Sequence, residues 1–189
     1  MNRNTITIIA MAFFAGCSSA EPPATGAPGP DSSKTSTKIT PAASDLQQVG
    51  DSFLIPSFDI EVHLTPGANE KLSHDKETII VAAWFSGDPR DTTSAEYAES
   101  GQQFIKFSEI ELTGSNRVAK FDGIKFSKAA YDSLASKDLS VLINVYSGRR
   151  TTQDNLLDCS ILSDKISAVK GKQYKLSGKL ITESGPLPE

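Results

Sequence analysis

The chain has 189 residues, of which 38% are hydrophobic and 22% are charged, and it contains 13 glycines. These proportions are ordinary for a globular protein and exclude a collagen-like repeat, a wholly disordered chain and a polytopic membrane protein. The net charge of −4, from 19 basic and 23 acidic residues, argues against a dedicated nucleic-acid-binding protein, which usually carries a basic excess. Two cysteines and two histidines supply few side chains for a disulfide framework or a zinc cluster, so we expect no metal and no cofactor.

The first 16 residues have the pattern of a secretory signal peptide. Arg3 supplies a short positive region, and the segment from Thr5 to Phe14 is apolar. As a helix this segment would be about 15 Å long, against roughly 30 Å for the hydrocarbon core of a bilayer. It is too short to span a membrane, and we expect residues 1–16 to be removed as a signal peptide.

Two small residues and a cysteine follow the apolar segment directly. The sequence Phe14-Ala15-Gly16-Cys17 resembles the lipobox of bacterial lipoproteins. That resemblance implies that cleavage leaves Cys17 as the first residue, with its thiol and amine acylated, which anchors a protein to a membrane essentially permanently. Ser18, in the position after the cysteine, resembles the sorting signal for the outer membrane. The alternative is an ordinary signal peptide in which the cysteine stands at this position by chance.

The composition of the next segment differs from that of the rest of the chain. Between Ser18 and Gly50 there is no aromatic residue, and five of the ten prolines lie there. Such a segment cannot bury enough apolar surface to offset the loss of chain entropy on folding. We therefore expect a lipidated cysteine and a disordered linker over 17–50, one domain over 51–183, and a disordered tail over 184–189.

Within this domain the hydrophobic pattern has a period of two, which is the period of a β-strand. Two segments change phase, and a β-bulge at Ser108–Glu109 and a kink at Asp122–Gly123 would restore their patterns. One short helix is expected over Lys128–Ala135, with Ser127 as its N-cap. The seven predicted strands are Phe58–Leu64, Thr78–Phe85, Phe104–Leu112, Val118–Phe126, Leu139–Tyr146, Leu156–Leu162 and Tyr174–Leu180.

These elements predict a mainly β fold, an antiparallel β-sandwich of about seven strands with one short helix behind a disordered N-terminal tether. The order of the elements resembles the small transthyretin-like and C2-like sandwiches in architecture. One transthyretin-like lipoprotein belongs to a bacterial secretion machine, so the resemblance implies a machine component as one function to test. The fold alone does not determine the function.

Three residues with reactive side chains are candidates for catalysis. His63 lies on the polar face of the first predicted strand, and His74 stands beside Asp75 in a predicted turn. Cys159 is in register with apolar residues of its predicted strand, which indicates a core position. The sequence contains no nucleophile-elbow motif, so catalysis by a histidine is the less favoured interpretation.

The long segment 86–103 is acidic and includes Asp88 and Asp91. Clustered carboxylates in a sandwich loop could hold calcium, but their spacing matches no known calcium loop. Thr93 and Glu96 instead form the pattern of a capping box, so we expect a structural loop or a helical turn here.

Arg149 and Arg150 stand side by side in a polar loop between two predicted strands. Adjacent guanidinium groups can hold a carboxylate or phosphate, so these two residues are candidates for binding a partner. Asp88 and Asp91 of the acidic segment are the other candidate binding residues. Charge is also uneven along the chain, because residues 51–116 carry 4 basic and 12 acidic side chains and residues 117–182 carry 12 and 6. If the halves do not interleave on folding, the domain has an acidic side and a basic side.

The sequence thus predicts a lipid-anchored protein of the bacterial envelope, in the outer membrane, whose periplasmic β-sandwich works by binding and not as an enzyme. Its expected partners are the lipid bilayer, through acylated Cys17, and an envelope protein, with no nucleic acid. The alternatives are an inhibitor or immunity-type lipoprotein, a component of a secretion machine and, less favoured, an envelope hydrolase.

Overall fold

The computed structural model describes residues 45–189, except for the side chain of Glu96. Within this range the chain forms eleven strands and four helices. The strands are β1 (Gln47–Val49), β2 (Ser52–Leu54), β3 (Phe58–Leu64), β4 (Ile79–Gly87), β5 (Gln103–Leu112), β6 (Val118–Phe121), β7 (Lys125–Ser127), β8 (Ser140–Ser147), β9 (Leu157–Cys159), β10 (Leu162–Lys165) and β11 (Gln173–Leu180). The helices are α1 (Pro66–Asp75), α2 (Ala95–Ser100), α3 (Lys128–Asp132) and α4 (Ile166–Val169).

Eight of these strands form the two sheets of a sandwich. Sheet 1 has the order β10-β8-β4-β5, and all its neighbours are antiparallel. Sheet 2 has the order β6-β3-β11-β9, in which β3 and β11 run parallel and the other pairs antiparallel. A small third sheet has the order β1-β2-β7. The predicted mainly β sandwich is confirmed, with more elements than the sequence indicated.

Alternate side chains from the inner faces of the two sheets form the core. In β3, Phe58, Ile60 and Val62 are buried, whereas the residues between them are partly exposed. Phe58 of sheet 2 meets Phe85 of sheet 1 edge-on, with the ring centroids 6.4 Å apart, and stacks on Phe121 at 5.0 Å. Such aromatic pairs add about 0.5–1.5 kcal/mol each to the stability gained by burial. The Phe58–Phe85 pair joins the two sheets, whereas Phe58 and Phe121 are neighbours within sheet 2.

Two of the predicted strands are each divided in the structure. The kink predicted at Asp122–Gly123 is confirmed, because Gly123 has a φ of 67° and the chain passes there from β6 to β7, which belong to different sheets. The single strand predicted over Leu156–Leu162 is wrong. It consists of β9 and β10, again in different sheets, and Ile161 between them is 60% exposed.

The bulge predicted at Ser108–Glu109 is wrong in position. Lys106 lies opposite Phe85 and Phe104 lies opposite Ser86, so the extra residue of β5 is at position 105. Because of this shift Phe107 lies opposite Trp84, on the outer face of sheet 1 and away from the core.

The helix predicted over Lys128–Ala135 is present as the shorter α3, and the hydroxyl of Ser127 caps it by accepting from the amide of Ala130. Helix α1 was not predicted. Thr65 caps it, Pro66 is its first residue, and the pair His74–Asp75 lies in its last turn instead of in a loop.

The folded domain begins before residue 51, where the sequence placed its start. Strand β1 pairs with β2, and Leu46 is buried in the core, although both lie in the predicted linker 17–50. Residues 1–44, which contain the predicted signal peptide and most of the linker, lie outside the described residues.

Candidate binding surface

The lipidation site predicted at Cys17 lies outside the described residues. None of the helices formed by residues 45–189 has the length and hydropathy of a membrane-spanning segment. The predicted binding residues Arg149, Arg150, Asp88 and Asp91 are all described, and their surroundings can be compared with the expectation.

The structure does not bring these four residues together. Gly148, which precedes the arginine pair, donates its amide to the carbonyl of Thr78 beside the first residue of β4. Asp88 follows the last residue of the same strand. The nine residues of β4 extend over about 30 Å, so the arginine loop and the acidic loop lie at opposite ends of sheet 1.

The arginine loop is held by a buried carboxylate. Glu77, which is 7% exposed, follows the left-handed residue that ends α1. Its oxygens accept from the amides of Thr78 at 2.9 Å, Arg150 at 3.0 Å and Thr151 at 2.9 Å, and from the Thr151 hydroxyl at 2.9 Å. Burial raises the pKa of Glu77, but these hydrogen bonds outweigh it and hold the pKa at about 2.

The two guanidinium groups of this loop have different partners. That of Arg150 makes a bidentate pair with Glu111 on β5, through Nε at 2.8 Å and a terminal nitrogen at 2.7 Å, and these bonds help to hold the pKa of Glu111 at about 2. The guanidinium of Arg149 lies 6.0 Å above the ring of Tyr146. Arg150 therefore completes an internal ion pair, and the two arginines do not form one clamp for an anion. Their role in binding a partner stays a prediction.

The acidic loop contains the helical turn that the sequence predicted. Helix α2 begins after Ser94, whose hydroxyl accepts from the amide of Tyr97, so the cap is one residue later than the predicted Thr93. Asp91 accepts from the amide and the hydroxyl of Thr93, and these bonds lower its pKa. Asp88 has an exposed side chain, and its carbonyl accepts from the amide of Ala135. Among residues 45–189 no group of three or more His, Cys, Asp or Glu side chains could hold a metal ion.

Neither histidine has the surroundings of a catalytic base. His63 Nε2 lies 2.7 Å from Glu61, on the open outer face of sheet 2, and Ser177 is opposite it on β11. No hydrogen bond joins His63 to Ser177 or to another hydroxyl or thiol of the described chain. The side chain of His74 is 85% exposed and contacts Asp75.

Cys159 packs against the core, as its pattern predicted. Burial raises the pKa of its thiol to about 12, so the thiolate that a nucleophile requires is scarce.

The outer face of sheet 2 is charged, and its strands mix the two halves of the chain. Asp59 lies opposite Lys120, Glu61 opposite Lys175, and Lys179 opposite Asp158. Cross-strand pairs of opposite charge stabilise a sheet modestly and keep its surface in water. Because β3 from the acidic half of the chain lies between β6 and β11 from the basic half, this face is not divided into an acidic and a basic side.

The outer face of sheet 1 is different. Phe107, Trp84 and Leu142 lie side by side on β5, β4 and β8, and Phe104 stands in the next row of the sheet. Phe104, Leu142 and Phe107 are 51%, 43% and 38% exposed, and the rings of Trp84 and Phe107 are 5.1 Å apart. A contiguous exposed patch of large apolar side chains often marks an interaction site, whereas a single exposed apolar side chain does not.

Polar side chains border these apolar residues and form what we call the Trp84 groove. One part of it, of about 380 Å³, lies between Trp84 and Lys165, and a second part, of about 270 Å³, lies beside Phe104. Both parts are lined by Ser86 and Gln102, so they adjoin each other across the sheet. The groove is large enough for a small ligand and is open to solvent.

This surface was not predicted from the sequence. The run Thr78–Phe85 is apolar at nearly every position, which is typical of a strand covered on both faces, and Leu142 and Tyr146 add apolar side chains to the same outer face. These apolar residues were the signal in the sequence for an exposed apolar surface, because no predicted element was available to cover the second apolar face of β4.

A comparison of the chain with protein-family models, with curated proteins and with solved structures found no match in any of the three.

Proposed function

We propose that this chain is a lipid-anchored protein of a bacterial envelope, held in the outer membrane by acylated Cys17, which presents a β-sandwich that binds and does not catalyse. The lipobox-like sequence at Phe14–Cys17 supports the anchor. The binding function rests on one observation, the row of exposed Phe107, half-buried Trp84 and exposed Leu142 on the outer face of sheet 1. The partner is another component of the same envelope, and a protein partner is expected from the sequence.

The contrast between the two outer faces supports this choice of surface. Both belong to one sandwich and both are open to solvent, yet sheet 2 presents charged residues where sheet 1 presents aromatic and aliphatic side chains. Tryptophan is enriched among the residues that contribute most to binding energy, since it buries a large area with few rotatable bonds. A domain that only needed solubility would gain nothing from this exposed row.

Metabolic labelling with an alkyne analogue of palmitate tests the anchor. The wild-type chain should incorporate the label and fractionate with the outer membrane, whereas Cys17→Ser should remain unlabelled. Equal labelling of the two proteins would refute lipidation at this cysteine.

Chemical cross-linking in intact cells tests the binding surface. Trp84→Ala should remove the cross-linked products of the wild-type chain, whereas the matched control Lys175→Ala, on the outer face of sheet 2, should keep them. If both variants give the wild-type products, the outer face of sheet 1 is not the binding surface.

A further inference from the structure

We propose that the Trp84 groove binds a neutral saccharide, with a sugar ring stacked on Trp84 and its hydroxyl groups hydrogen-bonded to Ser86, Gln102 and Ser140. This inference rests on the proposed function in one respect, that the outer face of sheet 1 is the binding surface. It specifies the class of ligand, which the proposed function leaves open.

The arrangement of side chains in the groove is amphipathic. Phe107, Trp84, Leu142 and Ser163 form one row across the four strands of sheet 1, and Phe104, Ser86, Ser140 and Lys165 form the next row. Neighbouring strands are about 4.8 Å apart and the rows are two residues apart, so the groove extends over about 14 Å by 7 Å. A ligand that fits it must be apolar on one side and rich in hydrogen-bonding groups on the other, as a pyranose ring is, with its C–H face and hydroxyl edge.

The polar row has hydrogen-bonding capacity that the protein does not use. Ser86 donates its hydroxyl to Oε1 of Gln102 at 2.6 Å, and Lys165 donates to the hydroxyl oxygen of Ser140 at 3.0 Å. The amide nitrogen of Gln102 has no partner among the described residues, and the Ser140 hydroxyl keeps its own proton for a further bond. A sugar hydroxyl both donates and accepts, so it can pair with each of these groups.

The backbone around the groove argues against an extended peptide as the ligand. Strand β4 is hydrogen-bonded to β5 on one side and to β8 on the other, and β8 to β4 and β10. Their main-chain groups are therefore occupied, and the face of the sheet offers side chains only. A peptide lying across this face would lose water from its own N–H and C=O groups without gaining enough hydrogen-bond partners in return. Peptides that add to a sheet bind instead at a free edge. A saccharide has no such backbone.

The charges that line the groove argue against an anionic ligand. Lys165 is the cation among the residues that line the groove and Glu99 is the anion, whereas Asp164 lies opposite the buried Val141 and so on the other face of β10. One positive and one negative residue give no net positive potential that would attract a polyanion. Carboxylates do accept hydrogen bonds from sugar hydroxyls, so the same residues suit a neutral polyhydroxylated ligand.

Isothermal titration of the purified full chain with chitohexaose, cellohexaose and maltohexaose tests the proposal, with hexagalacturonate as the anionic comparison. At least one neutral hexasaccharide should bind with a Kd of about 1 mM or lower. It should also shift the fluorescence emission of Trp84, which is the only tryptophan of the chain. Trp84→Ala should raise the Kd by about tenfold or more, and Gln102→Ala should raise it severalfold. Lys175→Ala, on sheet 2, should leave the Kd unchanged.

Three results would overturn the proposal: no binding of any neutral hexasaccharide, binding of hexagalacturonate alone, or an unchanged Kd in both Trp84→Ala and Gln102→Ala. Thermal denaturation of each variant separates loss of the ligand from loss of the fold. If saccharides do not bind but cross-linking to an envelope protein still depends on Trp84, the saccharide inference fails while the proposed function stands. If neither saccharide binding nor cross-linking to an envelope protein depends on Trp84, both the saccharide inference and the proposed binding surface fail.

Discussion

Replacement of Glu77 by glutamine tests the most deeply buried charge in the described chain. The two carboxylate oxygens of Glu77 accept four hydrogen bonds, three from backbone amides and one from a hydroxyl. A glutamine has one oxygen and one NH₂ group, so one or two of the three backbone amides would meet another donor, whereas the Thr151 hydroxyl can turn and accept. Each buried donor left without an acceptor costs about 1–3 kcal/mol. The pKa of Glu77 gives a second estimate of the loss of stability. Lowering this pKa from 4.5 to about 2 means that the folded state favours the charged form by roughly 3 kcal/mol.

The sign of the pH dependence follows from the direction of that shift. Because the pKa of Glu77 is lower in the folded state than in the unfolded state, its contribution is complete above about pH 4.5. It is lost as the pH falls from there toward 2, where Glu77 becomes protonated in the folded protein as well. Glu77→Gln should therefore destabilise the domain by about 3 kcal/mol at pH 7 and by much less near pH 2.5.

Urea denaturation of residues 18–189, followed by circular dichroism, measures this difference at pH 7, 4.5 and 2.5. The other carboxylates titrate in the wild-type protein and in Glu77→Gln alike, so their contributions to the pH dependence largely cancel when the two are compared. Glu70→Gln is the matched control, because Glu70 is exposed on α1 and its replacement should change the free energy of unfolding by less than about 0.5 kcal/mol. A loss below about 1 kcal/mol for Glu77→Gln at pH 7, or an equal loss at pH 7 and 2.5, would refute the assignment of Glu77 as the group that holds the arginine loop.

Three further predictions concern stability and reactivity. A Cβ added at Gly178 would stand 2.4 Å from Sγ of Cys159, so Gly178→Ala should destabilise by about 2 kcal/mol in thermal melts, and adding Cys159→Ala should restore part of the loss. Lys76 has a φ of 56° at the end of α1, so Lys76→Gly should stabilise by about 0.5–1 kcal/mol in urea denaturation; a loss of stability would contradict this reading of the cap. Because the pKa of the Cys159 thiol is raised to about 12, a Cys17→Ser chain should react with a disulfide reagent at pH 8 far more slowly when folded than in urea, and equal rates would contradict burial.

The strands were predictable where one face is buried and the other is wet. In β3 the alternation of apolar and charged residues in the sequence is the alternation of buried and partly exposed residues in the structure. Helix α1 was missed because only Ala68 and Leu72 of its ten residues are buried, which leaves almost no helical periodicity to detect. The pair Thr65-Pro66, a capping residue followed by proline, was the local signal for its start.

The candidate surface depended on information that is not local. Arg150 could be recognised as a potential ligand for an anion, but its pairing with Glu111, 39 residues away, follows from the packing of β4 between β5 and β8. The sequence also placed Trp84 in an apolar strand, while whether anything covers the outer side of that strand is decided by the arrangement of the whole sandwich. Patterns along a chain determine which residues share a face, and the tertiary fold determines what that face meets.

The position of β11 has a consequence for the way the chain acquires its structure. It is the last strand in sequence, yet it lies inside sheet 2 between β3 and β9, and Tyr174 is paired with Ile60, 114 positions earlier. During synthesis β3 has only β6 beside it until residues 173–180 emerge, and β9 has no neighbour in its sheet. Closing so long a loop costs entropy that few early contacts repay, so the sandwich should form late and slowly. A chain that lacks residues 173–189 would lose the centre of one sheet, and a nascent chain of the same length has that sheet open until these residues have been made.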